Sequence, residues 1–165
     1  MSDLEAFALR LADVTSHHIE GIAVMGNTPF SMPIISHVED HLWQGGYPEA
    51  DGPIDLPGFE YVLSLYPWQR YRTSGELREE RLYDADSIPD PALLEDLAAW
   101  VNEKRALGPT LVHCQAGLNR SALIVALALI RSGMTADAAI ALLRAKRSPA
   151  VLCNGVFERW LQLQG

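Results

Sequence analysis

The sequence predicts an α/β fold, a small central and mostly parallel sheet flanked by helices. Three observations predict it. Short apolar segments of strand length cluster in the middle of the chain, helical periodicities lie before and after them, and one apolar strand runs through a glycine-containing loop into an apolar helix. With 165 residues, 48% of them apolar and 21% charged, the chain fits one domain. A domain of this size buries roughly two thirds of its unfolded surface and needs no disulfide or metal staple.

The elements follow in order. Ser2 and Glu5 stand at capping-box spacing, and Leu4, Phe7, Ala8 and Leu11 share a helical face, so a first helix is expected from about residue 3 to 17, before Gly21. A short strand is expected over Gly21 to Met25, followed by a proline-containing loop from Asn27 to Pro33. Strand signals recur at His41 to Gln44, bounded by Gly45 and Gly46, and at Tyr61 to Tyr66, before Pro67; the Pro-, Gly- and Asp-rich stretch Tyr47 to Gly58 reads as a loop between them. Glu79 to Tyr83 reads as another strand, running into the acidic loop Asp84, Ala85, Asp86.

The second half is easier to place. Asp90 caps a helix with Pro91 at its first position, Leu93, Leu94, Leu97, Ala98 and Val101 form its stripe, and Gly108-Pro109 ends it. Thr110 to His113 is a strand feeding Cys114. Helices are expected over Ser121 to Ser132, stopped by Gly133, and from Thr135 to about Arg147. Asn154 caps a last helix in which Val156, Phe157, Trp160 and Leu161 share a face. The apolar run Ala122 to Ile130 is nine residues, less than half a membrane span, and reads as a buried helix.

Thirteen basic against twenty-one acidic residues give a net charge of −8, with no basic block to make a nucleic-acid or membrane footprint. Cys114 and Cys153 are the only cysteines, too few for a disulfide scaffold. The first residues carry Asp3, Glu5 and Asp13 and lack a basic segment followed by an apolar core, so a cytoplasmic, reducing location is expected.

The chemistry concentrates in Leu111-Val112-His113-Cys114-Gln115-Ala116-Gly117-Leu118-Asn119-Arg120-Ser121. A loop that wraps into a helix start points successive backbone N–H groups inward, and Gly117 permits the positive φ that such a nest requires. At one end stands a thiol. Six positions on stands an arginine whose planar fork takes two oxygens of a phosphate. The helix dipole, the amides and Arg120 all favour negative charge at Cys114, which makes it a nucleophile aimed at a bound oxyanion.

His-Cys-x5-Arg-Ser after an apolar strand resembles the signature of the cysteine-dependent protein tyrosine phosphatases, and Ala116-Gly117 with Ser121 is similar to the dual-specificity branch. Leu42 to Gly46 resembles that branch's opening strand, and Arg147 through Asn154 and Phe157 its closing region. The resemblance covers roughly residues 36 to 165, the expected catalytic domain. Residues 1 to 35 are then an N-terminal helical extension packed on the same domain.

The resemblance implies a phosphatase-like fold with a phosphate cradle, a phosphocysteine intermediate and no metal or other cofactor. It implies Cys114 as nucleophile and Arg120 as phosphate clamp. An aspartate about thirty residues earlier protonates the leaving oxygen and then activates water. Asp84 lies 30 positions before Cys114 and is favoured because it follows the Glu79 to Tyr83 strand, while Asp86, 28 positions before, is the runner-up. His113 looks like the histidine that orients the loop, Ser121 like the hydroxyl that stabilises the departing thiolate, and Asn154 like an asparagine bracing the loop. Gln115, Ala116, Gly117, Leu118, Asn119 and Arg120 form the phosphate-binding segment.

A phosphorylated protein is the expected partner. The uncharged Gln115, Ala116 and Leu118 argue against phosphoinositides, for which relatives in the superfamily place lysines in the loop. Gly-x-Asn-Arg is also similar to the loop of RNA 5′-phosphatases, which is one alternative; a non-catalytic phosphate-binding module is another. The Tyr47 to Gly58 stretch is shorter than the helical segment the family has there, so pocket depth, and with it the preference between phosphotyrosine and phosphoserine or phosphothreonine, stays open. Cys153 reads as a structural thiol, with a resolving cysteine as the alternative. His17, His18, His37 and His41 fit no metal-ligand spacing. Trp43, Trp68, Trp100 and Trp160 read most simply as core or helix-packing residues, with the loop around Trp68 at the border of the site as the alternative. Oligomeric state is not readable.

Overall fold

The structure is a computed structural model and describes residues 18–25, 28–48, 54–56, 58–68 and 71–165. The helix expected over residues 3 to 17 lies outside the described residues. Strand β1 (His18–Met25) pairs antiparallel with β2 (Thr28–Glu39), which pairs antiparallel with β3 (Leu42–Gly45). From there the sheet is parallel: β3 lies beside β8 (Thr110–His113), β8 beside β5 (Tyr61–Ser64), and β5 beside β7 (Glu76–Glu79). The order is β1-β2-β3-β8-β5-β7. Two-residue strands β4 (Ile54–Asp55) and β6 (Tyr71–Arg72) pair separately. The helices are α1 (Pro91–Arg105), α2 (Arg120–Arg131), α3 (Ala136–Lys146) and α4 (Gly155–Gln162).

Period-two alternation splits the core between the two faces of the sheet. Leu42, Leu63 and Val112 point into the cluster shared with all four helices, while their neighbours Trp43, Val62 and Leu111 point into a second cluster with Tyr47, Ile54, Phe59 and Tyr71. Helix α2 runs through the first cluster with every residue from Arg120 to Ile130 buried, which is why its sequence is apolar on all sides.

Three local readings are corrected. Within the stretch expected as a loop from Asn27 to Pro33, residues 28 to 33 belong to β2, and Pro33 falls where the pairing with β1 shifts register. A bulge accommodates a residue that cannot donate to the ladder, so its proline does not end the strand. Ile54–Asp55 is a strand within the expected Tyr47 to Gly58 loop. The strand expected over Glu79 to Tyr83 instead covers Glu76 to Glu79. This edge strand has no buried residue, so no hydrophobic alternation marks it, and its place is set by pairing with β5. The expected boundary between residues 35 and 36 lies inside β2, so the segments on either side share one sheet.

Candidate active site

Strand β8 is wholly buried and delivers Cys114 to the loop between it and α2. The loop is pressed against the end of β3: Cys114 N–H donates to Gly45 O at 3.2 Å and Tyr47 N–H to Gln115 O at 2.7 Å. A Cβ on Gly46 would lie 2.7 Å from Ala116 O and Gln115 O, so only glycine admits this approach. Gly117 adopts φ +74°, the left-handed turn of the nest, and a Cβ there would strike Gly45 and Arg147.

Arg147 braces the loop from behind. Its guanidinium donates to Gly117 O at 2.7 Å, Ala116 O at 3.0 Å, Pro33 O at 2.7 Å and Ser36 Oγ at 3.2 Å. In a trans peptide the N–H points opposite to the C=O, so drawing the carbonyls of Ala116 and Gly117 toward Arg147 turns the amides of Gly117 and Leu118 the other way. Burial lowers the Arg147 pKa to about 10, which still leaves it charged at neutral pH. That buried cation stands within electrostatic reach of Cys114.

Cys114 is buried, 2% exposed, and its thiol donates to Ser121 Oγ at 3.3 Å. Gln44 Nε2 donates to the same oxygen at 3.1 Å and to Gly117 O at 3.1 Å. With Gln44 supplying a donor to Ser121 Oγ, the hydroxyl proton is free to turn to the sulfur when Cys114 is a thiolate. His113 is fully buried beside Tyr71, ring centroids 4.7 Å apart, and its Nδ1 lies 3.2 Å from Cys114 O. Burial lowers its pKa to about 4, so the ring is neutral at pH 7 and an Nδ1–H donates to that carbonyl.

A cavity of about 310 Å³ is lined by Asp84, Cys114, Gln115, Ala116, Leu118, Asn119 and Arg120. Most of the sequence-derived candidates therefore converge on one space, while Gly117, His113 and Ser121 are not among its lining. Arg120 is 9% exposed, its Cζ 5.0 Å from the Tyr66 ring centre, and its Nε has no partner among the described residues. Trp68 packs against Tyr66 with ring centroids 4.8 Å apart and the rings tilted by 50°, one ring removed from Arg120, and is 48% exposed. Asp84 accepts from Asn119 Nδ2 at 2.9 Å and Asn154 Nδ2 at 2.7 Å. Asp86 lines a neighbouring cleft with Cys153, Asn154 and Arg159, which Asp84 and Asn119 also border. The favoured carboxylate is thus at the cavity although the strand expected to precede it directly ends five residues earlier, at Glu79.

Gln44 and Arg147 are the contributors for which sequence reasoning assigned no role. A glutamine in an otherwise apolar strand, followed by two glycines, signals the first. Arg147 was singled out only as part of the segment that resembles the family's closing region, and its bracing role has no local sign, because its carbonyl partners come from the loop and from β2.

Residues 92–164 match the family model for the dual specificity phosphatase catalytic domain. The human protein tyrosine phosphatase type IVA 3 is 40% identical over 72 residues, 42% of this chain and 42% of that relative. The Drosophila melanogaster PRL-1 phosphatase is 29% identical over 120 residues, 62% of this chain and 68% of the relative. The chain thus spans less than half the length of the human relative. A mouse putative dual specificity phosphatase, solved in complex with zinc tungstate, superposes with a TM-score of 0.68 at 22% identity, covering 86% of this chain and 92% of that one. Human DUSP28 superposes with a TM-score of 0.65, also at 22% identity, over 78% of this chain and 93% of that one. At these identities the superpositions speak for the fold.

Proposed function

We infer that this chain belongs to the dual-specificity branch of the cysteine-dependent protein tyrosine phosphatases and hydrolyses phosphomonoesters on protein side chains through a phosphocysteine intermediate. One observation carries the reading: Cys114, Arg120 and Asp84 line a single cavity at an α2 N-terminus that its N-cap side chain, Asn119, does not cap. A phosphate dianion there meets the uncapped amides and the fork of Arg120.

In the first step Cys114 Sγ attacks phosphorus, the S–P bond forms, and the P–O bond to the side-chain oxygen breaks as Asp84 gives that oxygen its proton. In the second step water attacks the phosphocysteine, Asp84 takes the water's proton, and the S–P bond breaks to release inorganic phosphate and the thiolate. Ser121 stabilises the departing sulfur, and the neutral His113 holds the Cys114 carbonyl. Arg147 and Gln44 keep the cradle in shape. No step calls for a metal. We place the protein in the reducing cytoplasm, where Cys114 stays a thiol. Among the described residues no helix is long and apolar enough to cross a membrane.

The test is hydrolysis of p-nitrophenyl phosphate from pH 5 to 8 in EDTA, comparing wild type with Cys114→Ser. Wild type turns over in the chelator, and Cys114→Ser falls by more than about 10³-fold while still binding vanadate. Activity in the variant within tenfold of wild type removes Cys114 from the mechanism. Activity lost to EDTA and restored by zinc or magnesium overturns the metal-free reading.

A further inference from the structure

We propose that Asn119 is a positioning residue whose side-chain amide holds the Asp84 carboxylate at the cavity, tying the loop that carries the nucleophile to the loop that carries the acid. The proposal rests on the phosphatase reading above.

Asn119 occupies the N-cap position of α2, where its residue type ordinarily bonds the first-turn amides. Here it makes no such bond. The side chain, on a residue 3% exposed, bonds other partners instead. Nδ2 donates to Asp84 Oδ2 at 2.9 Å, while Oδ1 accepts the Asn154 N–H at 2.9 Å. The amide is therefore oriented by a third segment, the start of α4, and its NH2 end is directed at the carboxylate.

Asn154 completes the hold. Its Nδ2 donates to Asp84 Oδ1 at 2.7 Å and to Ala85 O at 3.0 Å, and its own Oδ1 accepts the Val156 and Phe157 amides. Two amides on two different oxygens fix both the location and the rotation of the carboxylate plane, which one bond cannot do. Asp84 needs this, because it lies in an exposed segment outside any helix or strand. An acid that must meet a leaving oxygen loses rate steeply with misplacement. Asn119 immediately precedes Arg120, so the backbone conformation that aims the guanidinium also aims the tether to the acid. The uncapped α2 amides and the placed carboxylate follow from the same side-chain choice.

The experiment is a double-mutant cycle. Asn119→Ala, Asp84→Ala and the double variant are compared with wild type on phenyl phosphate, whose phenolate leaves poorly without a proton, and on p-nitrophenyl phosphate. Alanine neither reaches Asp84 nor caps the α2 amides, so the anion cradle stays as it is. Asn119→Ala lowers kcat on phenyl phosphate by about 10- to 100-fold and less on the nitrophenyl ester, with KM and vanadate inhibition changed far less than kcat. In the Asp84→Ala background the same substitution changes kcat by less than about twofold. Equal losses in both backgrounds, a loss carried by KM, or no loss at all overturn the proposal; thermal unfolding of each variant identifies any loss that comes from misfolding, in which case Asn119→Gly, which suits the N-cap position without a side chain to bond the amides, is put through the same cycle. A wild type without Cys114-dependent turnover sinks the phosphatase reading first, and this one with it, whereas a turning-over enzyme with additive losses sinks this one alone.

Discussion

Two helices of this protein begin with an asparagine at the N-cap, and the two asparagines do opposite things. Asn154 turns its oxygen onto the first amides of α4, 3.1 Å from Val156 N and 3.4 Å from Phe157 N. Asn119 leaves the first amides of α2 unbonded and spends its side chain elsewhere. Helices α1 and α3 follow the first pattern, through Asp90 and Thr135. A capped N-terminus contributes stability, and an uncapped one keeps its partial positive charge for an anion. Side-chain identity does not distinguish the two; the partners brought near each asparagine do.

The sharpest way to break this contrast is at Asp84, where both asparagines meet. Asp84→Asn loses about 10²- to 10⁴-fold in kcat on phenyl phosphate, while Asp86→Asn, in the neighbouring cleft, stays within about threefold. The reverse ranking would hand the acid's role to Asp86 and leave the two tethers without a catalytic purpose.

Acid probes the α2 end through His113. Its folded pKa of about 4 lies below the 6.5 of an ordinary imidazole, so between those values the unfolded chain takes up a proton that the folded chain refuses. Its contribution is therefore complete above about pH 6.5 and is lost as pH falls toward 4, by roughly 3 kcal/mol at the end of that window. Urea unfolding at pH 7 and pH 5 measures the slope, and His113→Gln flattens it. An unchanged slope in the variant would mean that other groups set the acid sensitivity.

The smallest effect compares the caps themselves. Asn154→Ala destabilises by about 1 kcal/mol in urea unfolding, and Asn119→Ala by less than half of that, because only the first removes a helix cap. Equal losses would mean that the Asn119 tether matters as much for folding as the cap does.

Much of the site was legible along the chain because its parts are local. Strand, thiol, glycine, arginine and serine fall within Thr110 to Ser121, where backbone geometry alone places them around one space. The caps at Asp90 and Asn154 were legible for the same reason, each bonding amides within three residues. The exposed edge strand β7 was misplaced because nothing in Glu76 to Glu79 is buried, and β2 because Pro33 sits at a register shift that only pairing with β1 creates.

The sequence by itself determined the α/β class, the β8-loop-α2 cradle and the identity of its thiol and arginine, since these rest on hydrophobic period and on short spacings that chain geometry enforces. Tertiary structure decided which aspartate faces the cavity, that Asn119 tethers rather than caps, and that Arg147 and Gln44 hold the loop. Those contacts join residues 30 to 114 positions apart. Hydrogen bonds at such separations depend on how the sheet and helices bring distant segments together, and a local pattern at most marks a residue, as it does Gln44, without naming its partners.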